Sequence, residues 1–112
     1  MTINTEPNFL AREDGTRIAY HHTPGGAPGV IFCGGFMSDM TGTKALALEE
    51  ACQKSGRSYT RFDYRGHGQS GAAFGSGTIG LWAGDAQAVL DKVTQGPQII
   101  VGSSMGGWIM LL

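Results

Sequence analysis

The chain has 112 residues, of which 15% are charged, and its formal net charge is -1. A chain of this length forms one domain at most, and without a basic patch or an acidic tail it is not expected to bind nucleic acid. No apolar run approaches the roughly 20 residues of a membrane span. We therefore expect a small or neutral substrate, and neither nucleic acid nor a membrane as partner.

The cysteines and the first residues bear on the cellular compartment. Cys33 and Cys52 are too few for a disulfide framework, and both lie in apolar segments, which predicts buried thiols. The first fourteen residues, MTINTEPNFLARED, show neither a charged start followed by an apolar run nor an Arg-rich amphipathic pattern. We expect a reduced, cytoplasmic protein.

The first half of the chain begins with a predicted hairpin. Two short segments, Phe9 to Arg12 and Thr16 to His21, are separated by Asp14-Gly15, a dipeptide that suits a hairpin turn. After the loop TPGGAP, the run GVIFCGG from Gly29 to Gly35 predicts a buried strand that ends in glycines. A helix is then predicted in TGTKALALEEACQKSG, where Gly56 is the stop signal.

The second half alternates in the same way. A strand is predicted in SYTRFDY, followed by the glycine-rich turn RGHGQSG. A helix in TIGLWAGDAQAVLDKV ends before Gly96-Pro97, PQIIVGSS is a last strand, and MGGWIMLL begins one more helix. Alternation of this kind favours an α/β fold, with a parallel sheet covered by helices on both faces.

A nucleophile motif follows the last predicted strand. The residues Gly102-Ser103-Ser104-Met105-Gly106 fit G-x-S-x-G, with Ser104 in the nucleophile position. A sharp turn between strand and helix holds such a serine in a strained conformation, and the glycines let the two elements pass closely. The bare pattern is weak in a chain rich in glycine, but the strand before it and the helix after it strengthen it. The alternative is a turn in which Ser104 only caps the helix.

A second loop fits the same chemistry. An oxyanion hole needs backbone N–H donors aimed at the developing charge. One is usually the residue after the nucleophile, here Met105, and the other comes from a loop after an earlier strand. In FCGGFMSDM, Gly34 and Gly35 would let the N–H of Phe36 point into the site. The alternative is an ordinary loop between a strand and a helix.

Three stretches, CGGF, RFDYRGHGQSG and GSSMGG, resemble in this order the α/β-hydrolase superfamily. The similarity runs from about Gly29 to Leu112. Within the superfamily, GGFMSDMTGTKALALEE and GPQIIVGSSMGGWIMLL are similar to the mitochondrial palmitoyl-protein thioesterases, also described as acyl-glucuronide esterases, and their bacterial relatives. Cys33 stands where many members of the superfamily have a histidine.

The resemblance implies a fold and a reaction. It implies an α/β-hydrolase fold, a mostly parallel sheet with an antiparallel N-terminal edge. It also implies a serine carboxylesterase or thioesterase that works through an acyl-enzyme on Ser104, with Phe36 and Met105 as oxyanion donors and without metal or cofactor. The substrate would be a small acyl ester or thioester.

The catalytic acid and histidine of that superfamily follow the serine, whereas only eight residues follow Ser104. His21 and His22 lie on an early strand, remote from the carboxyl ends of the central strands, and we expect one of them to be exposed. His67 lies on the same side of the sheet as Ser104 and is the better candidate for a general base.

The surroundings of the remaining polar candidates favour structural roles. Around His67, we expect Asp63, Arg65 and Ser70 to fix a tight turn through local hydrogen bonds and charge pairing. Asp85 is expected on the surface of its helix and Asp39 as a cap, neither as the triad acid. No pair of His or Cys residues has the spacing of a metal site.

These patterns predict the N-terminal part, 1-112, of a single α/β-hydrolase domain, truncated after the nucleophile elbow. The chain alone is expected to be inactive, since its acid and histidine would lie beyond Leu112, on the same or a complementing C-terminal polypeptide. The run QIIVG would form an open sheet edge. An acyl pocket or ordinary core would contain Met37, Met40 and Trp108. The alternative function is a non-catalytic half-domain that associates with a partner chain.

Overall fold

The computed structural model describes residues 6–112. In chain order the elements are β1 (Asn8–Ala11), β2 (Arg17–Thr23), β3 (Gly26–Cys33), α1 (Thr43–Ser55), β4 (Arg57–Phe62), a 3-10 turn (Phe74–Ser76), α2 (Ile79–Lys92), β5 (Gln98–Gly102) and α3 (Met105–Ile109). The predicted alternation of strands and helices is confirmed.

The five strands form one open mixed sheet in the order β1-β2-β4-β3-β5. β1 and β2 run antiparallel to each other, and β2 runs antiparallel to β4. β4, β3 and β5 are mutually parallel, so their carboxyl ends meet at one edge of the sheet. In the register of β3 and β5, Cys33 is paired with Gly102. The loops that follow these two strands therefore start side by side.

The antiparallel edge is closed by the predicted hairpin turn. Gly15 adopts a φ of 86°, a left-handed conformation that glycine tolerates. The N–H of Arg12 donates to the carbonyl of Thr16 at 2.8 Å, and the Thr16 N–H donates to the Asp14 carboxylate at 2.9 Å. Asp14 thus shapes its own turn, as short polar side chains do.

Two strands are longer than the sequence pattern predicts. β3 begins at Gly26 instead of Gly29, because the Gly26 N–H donates to the carbonyl of Gly56 at 2.6 Å and Gly26 pairs with Arg57. The register shifts between Gly26 and Val30, which accommodates Pro28, a residue without an N–H. β2 extends to Thr23 because its last residues pair with β4.

Side chains alternate between the two faces of the sheet and form two cores. The core under α2 and α3 contains Ile18, Ile31, Cys33, Phe62, Tyr64, Trp82, Val89 and Ile109, and the core under α1 contains Val30, Phe32, Ala45, Cys52 and Tyr59. Both cysteines are buried and unpaired, as expected. Burial raises the pKa of Cys33 to about 11, so this thiol stays protonated at neutral pH.

A buried charge joins α2 to the rest of the domain. Asp85 has an exposed fraction of 0%, so the expectation of a helix-surface group is wrong. Its carboxylate accepts the backbone N–H of Arg65 at 2.9 Å, the Arg65 Nη2 at 3.0 Å and the Arg12 Nη1 at 2.5 Å. Helical periodicity could not reveal this, because both guanidinium groups come from distant loops.

Close approach of backbones shapes the junction between β5 and α3. A Cβ on Gly102 would lie 2.6 Å from the Cα of Gly107, and a Cβ on Gly106 would collide with the carbonyl oxygen of Cys33. Contacts this short with backbone atoms leave no room for a side chain. The two glycines of the G-x-S-x-G pattern are therefore required by packing, as the sequence analysis expects.

Asp85→Asn is expected to lower the free energy of unfolding by about 3–5 kcal/mol, because Arg12 and Arg65 would lose the buried carboxylate that they share, and Arg65 would keep only its pair with the more exposed Asp14. Urea denaturation followed by circular dichroism measures the change. Asp91→Asn, at an exposed position of the same helix, is the matched control and should alter stability by less than about 0.5 kcal/mol. Equal losses for the two variants would contradict this role of Asp85.

Gly106→Ala is expected to destabilise the chain by about 1–3 kcal/mol, because the added methyl group collides with the backbone of β3. Thermal unfolding of the variant measures the loss. Gly75→Ala is the control, since a Cβ at Gly75 has no atom within 4 Å. If both variants unfold at the wild-type temperature, the junction is looser than the structure indicates.

Candidate active site

Ser104 lies in the turn between β5 and α3 with its side chain exposed. Its φ of 55° and ψ of -117° are unusual for a residue with a side chain and cost on the order of 1–3 kcal/mol. Two hydrogen bonds hold the turn. The Gly106 N–H donates to the Ser103 carbonyl at 2.9 Å, and the Gly107 N–H donates to the Ser104 carbonyl at 3.0 Å. This is the strained strand-to-helix turn that the motif predicts.

The two neighbouring serines have different surroundings. The Ser103 N–H donates to the carbonyl of Cys33 at 3.0 Å, which extends the pairing of β3 and β5 by one residue. The Ser103 hydroxyl accepts a hydrogen bond from the Lys44 Nζ of α1 at 3.3 Å. Ser103 is therefore engaged on the α1 side, while Ser104 is presented to solvent.

The loop after β3 contacts the turn that carries Ser104. A Cβ built on Gly35 would lie 3.4 Å from the Cβ of Ser104 and 3.5 Å from the carbonyl oxygen of Ser103. Glycine at this position lets the loop approach the serine closely. The Ser38 N–H donates to the Gly35 carbonyl at 3.2 Å and closes a turn around Phe36.

The backbone N–H groups of the residues that follow Gly35 and Ser104 have no acceptor within the described part of the chain. Within residues 6–112, neither the N–H of Phe36 nor that of Met105 donates a hydrogen bond. Met105 is the first residue of α3, and the first N–H groups of a helix have no preceding helical turn to supply a carbonyl acceptor. An arrangement of this kind can bind an anionic oxygen next to an exposed hydroxyl.

His67 is buried and both of its ring nitrogens have partners. The Nε2 accepts the N–H of Met37 at 3.1 Å, and the Nδ1 lies 3.1 Å from the carbonyl of Arg65. A general base would need a free nitrogen directed at Ser104. The structure therefore places His67 inside a turn, in keeping with the structural alternative.

Neither of the other histidines is brought to Ser104. His21 and His22 lie on β2, which is flanked by β1 and β4, and both are half-buried, so the expectation that one is exposed is wrong. The His22 Nδ1 lies 2.8 Å from the Thr60 hydroxyl. Burial lowers the pKa of both rings, which favours their neutral form. Among residues 6–112 no cluster of three or more metal-binding side chains occurs.

Asp63 and Ser70 fix the RGHGQSG turn by local hydrogen bonds, as predicted, whereas the Arg65 guanidinium pairs outside the turn, with Asp85 and Asp14. The Asp63 carboxylate accepts the Gln69 N–H at 2.9 Å, and the Ser70 hydroxyl donates to the Asp63 carbonyl at 2.6 Å. The other carboxylate oxygen of Asp63 accepts the N–H of Met40 at 2.7 Å. Sequence reasoning missed this longer contact, which ties the turn to the loop after β3. Burial raises the pKa of Asp63.

Asp39 belongs to the same loop and is exposed. Its carboxylate accepts the Thr41 N–H at 2.9 Å, which caps the turn before α1. The residue preceding α1 is Gly42, and no side chain caps that helix. Asp39 is therefore a turn cap, as expected, but not the cap of the helix itself.

The candidate pocket residues differ in burial. Met40 has an exposed fraction of 1% and is ordinary core, whereas Met37 is 73% exposed and Trp108 is 59% exposed. Phe36 packs edge-on against Phe74 at a ring-centre distance of 5.2 Å. The sequence gives no signal for Phe74, because its segment carries no periodic pattern.

Comparison with known proteins supports these assignments at the level of family. Residues 28–112 match the family described as serine aminopeptidase, S33. The human protein named palmitoyl-protein thioesterase ABHD10, mitochondrial, is 47% identical over 107 residues, which is 96% of this chain and 35% of that protein. The bovine protein of the same name is 47% identical over 106 residues, 95% of this chain and 35% of its own length. The chain thus spans about a third of these curated relatives.

Solved structures show the same fold as this chain. Alpha/beta hydrolase domain-containing protein 10 from mouse superimposes with a TM-score of 0.92 at 45% identity, covering 96% of this chain and 43% of that one. A putative hydrolase from Agrobacterium vitis S4 gives a TM-score of 0.87 at 43% identity, covering 99% and 44%. The α/β-hydrolase fold and the resemblance to the thioesterase branch are confirmed.

One expectation is overturned by the same comparison. The curated relatives are named as mitochondrial, which contradicts a cytoplasmic protein. Reduced, buried cysteines occur in any reducing compartment and did not discriminate between the two. Within residues 6–112, no helix combines the length and the apolarity needed to cross a bilayer. By its sequence match and its fold, the chain belongs to the serine aminopeptidase S33 family of α/β hydrolases.

Proposed function

We propose that the chain carries the nucleophile and the oxyanion hole of a serine hydrolase that cleaves carboxylic esters or thioesters. The observation that carries this proposal is the exposed Ser104 in a strained turn against Gly35, together with the unengaged N–H groups of the residues that follow these two, Met105 and Phe36. The relatives named as palmitoyl-protein thioesterases support an acyl substrate.

In the proposed reaction, the Ser104 hydroxyl oxygen attacks the acyl carbon and its proton passes to a general base. The carbonyl oxygen becomes negative and accepts the N–H groups of Phe36 and Met105. Removal of one such donor typically lowers kcat by about 10²–10³-fold. The bond to the leaving group then breaks as that group takes up the proton. Water releases the acyl group by the same steps, and no metal or cofactor takes part.

The general base and its acid are proposed to lie outside these 112 residues. The ring nitrogens of His67 are occupied, and His21 and His22 lie on β2. The chain also spans only 35% of the length of its curated relatives. Residues 1-112 would then be the N-terminal part of one α/β-hydrolase domain. Without the base, turnover by these residues alone would fall by on the order of 10⁴-fold.

A non-catalytic half-domain is the second candidate. β5 forms one edge of the sheet in residues 6–112, and Ile99 on it is exposed. In and after α3, the side chains of Trp108, Leu111 and Leu112 are exposed as well. An apolar edge of this kind pairs readily with another chain, so a complementing C-terminal polypeptide would dock there.

The test is fluorophosphonate labelling of the native protein from its own cells, followed by intact-mass measurement and peptide mapping. We expect a single adduct on Ser104 in the wild type, and no adduct and no thioester turnover after Ser104→Ala. Ser103→Ala is the matched control, since Ser103 faces Lys44, and it should keep both labelling and turnover.

Each other outcome would reject the proposal in a specific way. An adduct that disappears with Ser103→Ala would show that Ser103, and not Ser104, is the nucleophile. Turnover that persists in Ser104→Ala would exclude the acyl-enzyme. A protein of 11.8 kDa that takes up no label would instead favour the non-catalytic half-domain.

A further inference from the structure

The loop between β3 and α1 is held from one side by β4 and the turn that follows it. Tyr64 donates its hydroxyl to the carbonyl of Gly34 at 3.1 Å, and His67 accepts the N–H of Met37 at 3.1 Å. Asp63 and Arg61 bind the N–H and the carbonyl of Met40 at 2.7 Å and 3.0 Å. The loop is thus fixed at its two ends and once in the middle, next to Phe36.

We propose that His67 is a positioning residue for the oxyanion hole. Its neutral ring holds the N–H of Met37, and this fixes the preceding peptide whose N–H, that of Phe36, faces the reacting carbonyl oxygen. The inference rests on the proposed function, since it assigns Phe36 to that oxyanion hole. It gives His67 a part in the rate of acyl transfer without contact to the substrate.

The hydrogen bonds determine the tautomer of His67. A carbonyl only accepts, so the bond between the Nδ1 and the Arg65 carbonyl requires a proton on the Nδ1. The Met37 N–H only donates, so the Nε2 must carry its lone pair. The neutral Nδ1–H form satisfies both contacts, and a doubly protonated ring would lose the bond to Met37.

Packing fixes the plane of the ring. The exposed fraction of His67 is 4%, and its ring centre lies 5.7 Å from that of Tyr64, 5.2 Å from that of Phe74 and 5.3 Å from that of Trp82. The indole N–H of Trp82 donates to the same Arg65 carbonyl at 3.1 Å. The acceptor on the Nε2 is therefore aimed at a fixed point in the loop.

Met37 needs such a restraint. Its φ of 58° is left-handed, a conformation that is unfavourable for a residue with a side chain, and its own side chain is largely exposed. Side-chain packing therefore holds Met37 only weakly, and the hydrogen bond to His67 is its direct tie to the domain. Without it, Met37 would relax and the Phe36 peptide would turn with it.

The contact itself can be measured without any substrate. In the ¹⁵N-labelled chain, a scalar coupling across the hydrogen bond should join the Met37 amide nitrogen to the His67 Nε2, and the ring should show the Nδ1–H tautomer. Absence of the coupling, or the opposite tautomer, would overturn the inference whatever the enzyme activity.

The kinetic test compares two substitutions in the native protein used for the Ser104 assay. His67→Phe keeps the aromatic packing and removes the acceptor, and we expect kcat and kcat/KM to fall together by about 10²-fold, as for a lost transition-state donor. His67→Gln offers an amide oxygen to Met37 and should recover most of the loss. Urea midpoints of both variants separate this effect from unfolding.

The outcomes distinguish this inference from the proposed function. Unchanged kcat in His67→Phe, with Ser104 still essential, would overturn the positioning role and leave the hydrolase intact. Equal losses in the Phe and Gln variants, in proportion to lowered stability, would also overturn it. Loss in His67→Phe with rescue in His67→Gln would support it. Turnover that survives Ser104→Ala would reject the proposed function itself.

Discussion

The buried carboxylate of Asp85 holds together the elements that position the candidate site. A charge without solvent must be surrounded by donors, and here Arg65 supplies a backbone N–H and its guanidinium while Arg12 supplies another guanidinium. These bonds hold the RGHGQSG turn against α2. Through His67 and Asp63, this turn binds the loop that carries Phe36. One internal ion cluster thus links the hairpin, the second helix and the candidate oxyanion hole.

Much of this fold could be predicted from the sequence, because its local signals agree with one another. The glycines at 102 and 106 indicate the close approach of β5 and α3, and Asp14-Gly15 indicates the hairpin. The start of β3 could not be predicted, because the pairing of Gly26 with Arg57 depends on a strand that begins 31 residues later. The burial of Asp85 could not be predicted either, because its partners Arg12 and Arg65 are distant in sequence.

The candidate site divides in a similar way. Ser104 is identified by its local pattern, and its strained backbone agrees with that pattern. The contacts of His67 and Asp63 with the loop after β3 have no counterpart in the sequence, since a turn motif shows only its internal bonds. The sequence leaves open whether Met40 lines a pocket or belongs to the core, and its burial shows that it belongs to the core. Long-range hydrogen bonds are therefore what the structure adds.

The carbonyl of Cys33 connects two neighbouring segments of the candidate site. It accepts the Ser103 N–H, it lies against Gly106, and the chain reaches Phe36 only three residues after it. The turn that carries Ser104 and the loop that carries Phe36 therefore both start from one peptide group. A displacement of this end of β3 would therefore shift both segments. The relative placement of the Ser104 turn and the Phe36 loop thus depends on one short stretch of backbone at the end of β3.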